Sequence, residues 1–214
     1  FSSIDQNGRY AFGNQPSIAS WNLASLAGCL IAFIDKDSDK ANELATEVLD
    51  NFSLETNQRI LDLMCEKIGI TGSKKDNQTL LRRLLKIMMD NEADYTITFR
   101  HLPKTLSDDS SEFFRQFNEK NQIHEWLKDW KKVIKNENKD INSLQADLNE
   151  INPVYIPRNH QIHQVIDLAY QNDFSKMLEM IEVIKQPFEE SEEYSTYTKA
   201  PREEQKVQRT FCGT

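Results

Sequence analysis

Glycine and proline are scarce in this chain, six of each in 214 residues, against usual shares of about 7% and about 5%. A fold of many short strands needs a turn signal every ~8–12 residues, so long helices are favoured. Cysteine is scarcer still. Cys29, Cys65 and Cys212 are the full set, too few and too scattered for a disulfide scaffold or a zinc site. Cys29 and Cys65 fall on apolar helix faces and are expected to be small core residues in a reducing compartment. Positive charge is also short. Lys and Arg number 26 against 34 Asp and Glu, a net charge of −8, which excludes a nucleic-acid groove, because phosphate contact needs a basic face. No uninterrupted run of 18 apolar residues occurs, so no membrane span is expected. No basic segment followed by an apolar core opens the chain as a secretory signal would. Opening on Phe1 rather than Met, the chain reads as part of a longer protein.

What is present is helical periodicity. Gly8 to Gln15 is a glycine-punctuated loop, and Pro16 suits the first turn of a helix, where its missing N–H has no partner to lose. Ile18, Trp21, Leu23, Leu26, Leu30 and Phe33 then predict a core helix over about 16–34. After a polar break, with Ser38 or Asp39 as N-cap, Leu44 to Ile68 carry helical spacing that fits one helix or two broken near Ser53. Gly69 closes the stretch as a C′ glycine. Leu80 to Met88 predict a helix over 77–90, and Tyr95 to Arg100 a short one ending before Pro103. Ser110 or Ser111 caps the next, running through Phe117. Ile123, Trp126, Leu127, Trp130, Val133 and Ile134 mark a helix over 120–135, and Asn136 to Asp140 a bend. Helices follow from Ile141 to Ile151, from Arg158 to Ala169, and from an Asp173 cap to Pro187. The class expected is all-α.

Chemistry is harder to place. His160 and His163 are three apart and share a helix face, yet no third ligand is spaced to complete a metal site. Asp94 and Tyr95 near Arg100 could act as an acid–base pair or simply cap and tie a helix. The glycine-rich phosphate loops G-x-G-x-x-G and G-x-x-x-x-G-K-[ST] are absent. Gly8 and Gly13, five apart around Arg9-Tyr10, fit neither.

Four stretches do carry a resemblance. They are Gly8-Arg9-Tyr10-Ala11-Phe12-Gly13-Asn14-Gln15 with Trp21-Asn22-Leu23, then Ala93-Asp94-Tyr95-Thr96 with Phe99-Arg100. The third is Asn152-Pro153-Val154-Tyr155-Ile156-Pro157-Arg158-Asn159, and the last Gln186-Pro187-Phe188 with the acidic, tyrosine-containing tail. In this order they resemble the selenoprotein O family, kinase-like proteins that transfer AMP from ATP to other proteins. The resemblance covers nearly the whole chain. It implies the later C-lobe and C-terminal helical extension of a protein-kinase-like fold: one helical region over 1–214, with a signature loop at 1–15 and a loosely structured acidic tail at 188–214. In the family the phosphate-binding lysine, its glutamate partner, the catalytic-loop asparagine and the metal-binding aspartate all precede the signature. Catalytic, ATP and metal residues are therefore expected upstream of this chain, with ATP and Mg²⁺ serving the full-length enzyme and none bound here.

Arg9, Tyr10, Asn14 and Gln15 are the residues the resemblance places beside the nucleotide site. Cys212 is the redox candidate. It is followed by Gly213-Thr214 where the family usually has two serines, and the family's partner cysteine before the signature is missing. The implied partners are protein substrates, with no nucleic acid and no membrane. The implied setting is the bacterial cytoplasm, with a mitochondrial member as the alternative. The rival reading is a non-catalytic, acidic helical interaction module.

Overall fold

The computed structural model describes residues 3–107 and 110–210. Among them there is no strand, and the fold is all-α. Nine α-helices follow in order: α1 (Gln15–Ile34), α2 (Ser38–Glu66), α3 (Lys75–Asp90), α4 (Tyr95–His101), α5 (Ser111–Phe114), α6 (Lys120–Asn136), α7 (Ile141–Ile151), α8 (Asn159–Ala169) and α9 (Ser175–Lys185). Two compact units are drawn from Phe1–Leu61 with Gln208–Thr214, and from Asp62–Val207.

In the first unit, α1 and most of α2 lie together, with Ser20 Oγ and Ser53 Oγ 3.2 Å apart. The α2 helix is single and unbroken over 29 residues. Its N-cap is Asp37, one residue before the expected Ser38 or Asp39, since the Asp37 carboxylate accepts from the Asp39 amide at 2.9 Å. The expected core role of α1 is not met within this chain. None of its residues is buried; Trp21 is 55% and Phe33 86% exposed, and Cys29 is exposed rather than packed. Periodicity shows that a face is apolar, and what covers that face is a separate matter. By length and composition the segment Phe12–Ile34 also suffices to cross a membrane, because its interrupting Ser, Asn, Gln and Gly residues carry no charge. That corrects the count of uninterrupted apolar residues, and a core helix of a globular protein passes the same test.

The second unit has a continuous core built on α3 and α6. Leu80, Leu81, Leu84, Ile87 and Met88 of α3 face Ile123, Trp126, Leu127, Trp130 and Ile134 of α6. The two indoles stack with centroids 5.8 Å apart. Their N–H groups donate to backbone carbonyls, Trp126 to Leu80 and Trp130 to Ile68, each at 2.8 Å. Buried aromatics with a polar edge need such partners. Gly69 sits at φ +73° with the Ile70 amide reaching back to the Cys65 carbonyl at 3.0 Å, the C-terminal closure expected of a C′ glycine. Lys139 Nζ donates to the Gly69 carbonyl, and Glu137 accepts from the Thr71 amide, pinning this turn to the bend after α6. The expected helix through Phe117 is only the four-residue α5.

A second, smaller cluster gathers Val154, Tyr155, Met180, Val183 and Tyr197. Tyr197 belongs to a 3-10 turn at Ser195–Thr198 and is 2% exposed. Part of the acidic tail therefore packs firmly.

Candidate functional site

In the first unit the signature loop is held by its own polar groups. The Asp5 carboxylate accepts from the Arg9 and Tyr10 amides at 2.8 and 2.7 Å. Asn14 Nδ2 donates to the Gly8 carbonyl, and Gln15 Nε2 to the Tyr10 carbonyl, both at 2.7 Å. Gly8 has φ +63°, a conformation that glycine adopts without strain. Asn14 and Gln15 thus act on the loop itself. Arg9 lays its guanidinium over the Trp21 ring at 4.3 Å and near the Tyr10 ring at 5.7 Å, and among the described residues its side-chain donors make no hydrogen bond. Of the four positions expected beside a nucleotide, Arg9 and Tyr10 are the ones with outward-facing chemistry. Asp5 was not anticipated from sequence; its signal is a carboxylate three residues before a glycine, where it can bond amides further along the turn.

In the second unit the other three motif stretches meet. Asp94 caps α4 by accepting from the Ile97 amide at 2.9 Å. It also takes two bonds from Arg158, at 2.6 and 3.2 Å, so the pairing with Arg100 considered above does not form. Burial pushes the Asp94 carboxyl up, but the Arg158 hydrogen bond, the Ile97 amide and the Arg158 charge together hold it below the usual carboxylate range. Arg100 instead donates to the Asn149 and Asn152 carbonyls at 2.9 and 3.1 Å. Asn152 Nδ2 reaches the Lys67 carbonyl at 2.9 Å. The Tyr155 hydroxyl accepts from the Ser191 amide at 2.8 Å, while the Val154 amide donates to the Pro187 carbonyl at 2.7 Å. These motifs form one hydrogen-bonded junction. Its bonds join the motifs to one another, which makes the junction architectural, while Arg158 Nε and Asn152 Oδ1 are buried without a partner among the described residues.

The histidine pair does not assemble. His160 is buried, and burial together with the Arg158 charge keeps its pKa below the ordinary value. His163 is exposed and faces Asp167 at 3.1 Å. Among the described residues no three His, Cys, Asp or Glu side chains gather as a metal site. Cys212 lies outside the described residues. The remaining cysteine pair splits, Cys65 being buried and Cys29 exposed.

Comparison with known proteins accounts for the motifs. The sequence profile of the family described as "Protein adenylyltransferase SelO" matches residues 2–185. The protein nucleotidyltransferase YdiU of Maridesulfovibrio salexigens is 39% identical over 215 residues, covering all of this chain and 44% of that protein. Those of Rhodopseudomonas palustris and Agrobacterium fabrum are each 40% identical, with the same coverage. The chain spans less than half the length of these relatives. With a profile match over most of its residues, the chain belongs to the SelO family of protein adenylyltransferases.

Proposed function

We propose that this chain is the C-terminal helical part of a protein adenylyltransferase that moves AMP from ATP to Ser, Thr or Tyr hydroxyls on other proteins. The residues that hold ATP and Mg²⁺ and perform the transfer lie upstream of residue 1. The observation that carries this reading is the family match over residues 2–185. The kinase-like character, the use of ATP with Mg²⁺ and the protein substrates follow from the family resemblance. A bacterial cytoplasmic setting belongs to the same reading and rests on the family resemblance alone.

On this reading the share of the chemistry borne by this chain is positional. The loop from Asp5 to Gln15, closed by four side-chain bonds, presents Arg9 and Tyr10 next to the upstream site. The helices behind it supply the scaffold. The test is transfer by the full-length protein with Mg²⁺ and ATP labelled on either the α- or the γ-phosphate. Label appearing on protein from α-labelled ATP alone is the expected result. Transfer of the γ-label would make the protein a kinase and overturn the proposal, and transfer of neither would favour the interaction-module reading.

A further inference from the structure

A cavity of about 330 Å³ opens in the second unit between α8, the start of α9 and the two turns that follow Tyr194. It lies at the lower end of the ~300–1,000 Å³ range of small-molecule pockets. Three cations line it, Lys176, Lys199 and Arg202, and no lining residue is a carboxylate. In a chain of net charge −8 that local excess is unusual, and it coincides with a wall of neutral polar groups. Gln161 is fixed by its Nε2 bond to the Thr196 carbonyl at 3.2 Å. His160 is kept neutral by burial and by the Arg158 charge. Tyr197, pushed up to about 12 by burial and by Glu179, stays a phenol.

The cations are available. Lys176 holds its ammonium 5.2 Å from the centre of the Tyr197 ring, which orients it without neutralising it. Lys199 is exposed and has no ion-pair partner among the described residues. Arg202 shares its Nε with Glu204 at 2.9 Å, but both side chains are largely exposed, and such pairs yield readily to a better anion. Three buried polar atoms of the lining residues, His160 Nδ1, Gln161 Oε1 and the Tyr197 hydroxyl, have no hydrogen-bond partner among the described residues.

We propose that this cavity is a binding site for a phosphate group, free or carried on a small molecule, held by Lys176, Lys199 and Arg202. Guanidinium and ammonium donors around a water-sized to ligand-sized space are the side chains suited to phosphate oxygens. The site is formed wholly by residues 160–205 and does not depend on the adenylyl-transfer reading.

The test is amine footprinting of the full-length protein with acetic anhydride, read by mass spectrometry at each lysine. Inorganic phosphate is compared with chloride at equal ionic strength. With a dissociation constant near about 1 mM, ~10 mM phosphate fills about nine-tenths of sites and slows acylation of Lys199 and Lys176 about tenfold. Lys86 and Lys132, ion-paired on the surface, serve as controls and should not change. Glycerol 3-phosphate is the second arm. Stronger protection by it than by phosphate assigns the site to a phosphorylated small molecule, and equal protection assigns it to the free ion. Arg202→Gln should abolish most of the protection while Arg202→Lys keeps it, with melting temperature unchanged in both. Equal protection of the control lysines overturns the proposal. So does a Lys199 already unreactive in chloride, because the cavity would then be filled by the protein's own chain.

Discussion

Replacing Arg158 by Met removes the two bonds it makes to Asp94, at 2.6 and 3.2 Å, while keeping comparable bulk. The side chains are 7% and 18% exposed, so solvent cannot replace the lost partner. Breaking a buried pair from one side costs about 3–5 kcal/mol. Asp94 keeps its bond from the Ile97 amide, which places the loss at the lower end, about 3 kcal/mol. For a unit of this size each kcal/mol is worth about 2–4 °C, so the second unit should melt roughly 6–12 °C lower at neutral pH. The transition is followed through fluorescence of the buried Trp126 and Trp130.

The pH dependence supplies an independent check. In the parent, Asp94 has a folded pKa below its unfolded value of about 3.9. Its contribution is therefore present above about pH 3.9 and is lost as pH falls through the folded value. In Arg158→Met the lowering influence of Arg158 is gone while burial remains, so the folded pKa rises. The gap between parent and variant should be widest near neutrality and close as Asp94 protonates below about pH 4. Arg158→Lys should recover part of the loss, since an ammonium cannot make the forked contact. Asp94→Asn, which still caps α4, makes a double-mutant cycle possible. A melting temperature for Arg158→Met within about 1 °C of the parent, or a gap independent of pH, would refute the claim that this ion pair ties the junction together.

Two further outcomes test the packing. Gly69→Ala should cost about 2–4 kcal/mol by denaturant unfolding, because a Cβ there meets Leu144 Cδ1 at 2.6 Å and φ is +73°; Gly72→Ala, at φ +71° with open space around it, should lose only about 1 kcal/mol. In the 1–214 chain a thiol reagent should label Cys29 in the native state and Cys65 only on unfolding, since Cys29 is exposed while burial, aided by Asp62 and Glu66, pushes the Cys65 thiol up; equal native-state rates would show that the core around Cys65 opens.

How much of this was legible in the sequence depends on the range of the interaction. Helix positions were readable because their causes lie within one or two turns. The apolar spacing of α3 and α6 and the C′ glycine at 69 are local, whereas at α9 the cap position is Phe174, one residue after the expected Asp173, whose carboxylate still accepts from the Ser175 amide at 2.9 Å. Asp37 went unread as a cap because Ser38 and Asp39 offered equal alternatives, and Asp140, which accepts from the Ser143 amide at 2.9 Å, was read only as the end of a bend. Burial was readable only where both partners belong to this chain. Leu84 and Trp126 are buried in one cluster whose members all belong to this chain, whereas Trp21 and Cys29 lie on an equally apolar helix that nothing in the described residues encloses.

The motif residues mark the sharper limit. Asp94, Arg100, Asn152, Tyr155 and Arg158 were recognisable as family positions, but a resemblance does not say what a side chain does. Asp94 and Arg158 are 64 residues apart, and Arg100 lies 49 and 52 residues from the carbonyls it serves. No periodicity spans such distances. Once they are placed, the accounting of donors decides their role. Arg158 spends its donors on Asp94 and on the Thr198 carbonyl at 3.4 Å, and Arg100 spends its own on two backbone carbonyls and Glu190 at 3.7 Å. Arg158 Nε is buried without a partner among the described residues, and both guanidiniums are more than nine-tenths enclosed. Arg9 is the opposite case, stacked on Trp21 by its face with its edges unspent among the described residues. A ring contact of that kind fixes a guanidinium while leaving its hydrogen-bonding capacity intact. Within these motifs, then, Arg100 and Arg158 of the second unit hold the frame, and Arg9 of the signature loop is the one whose ring contact leaves its donors for other partners.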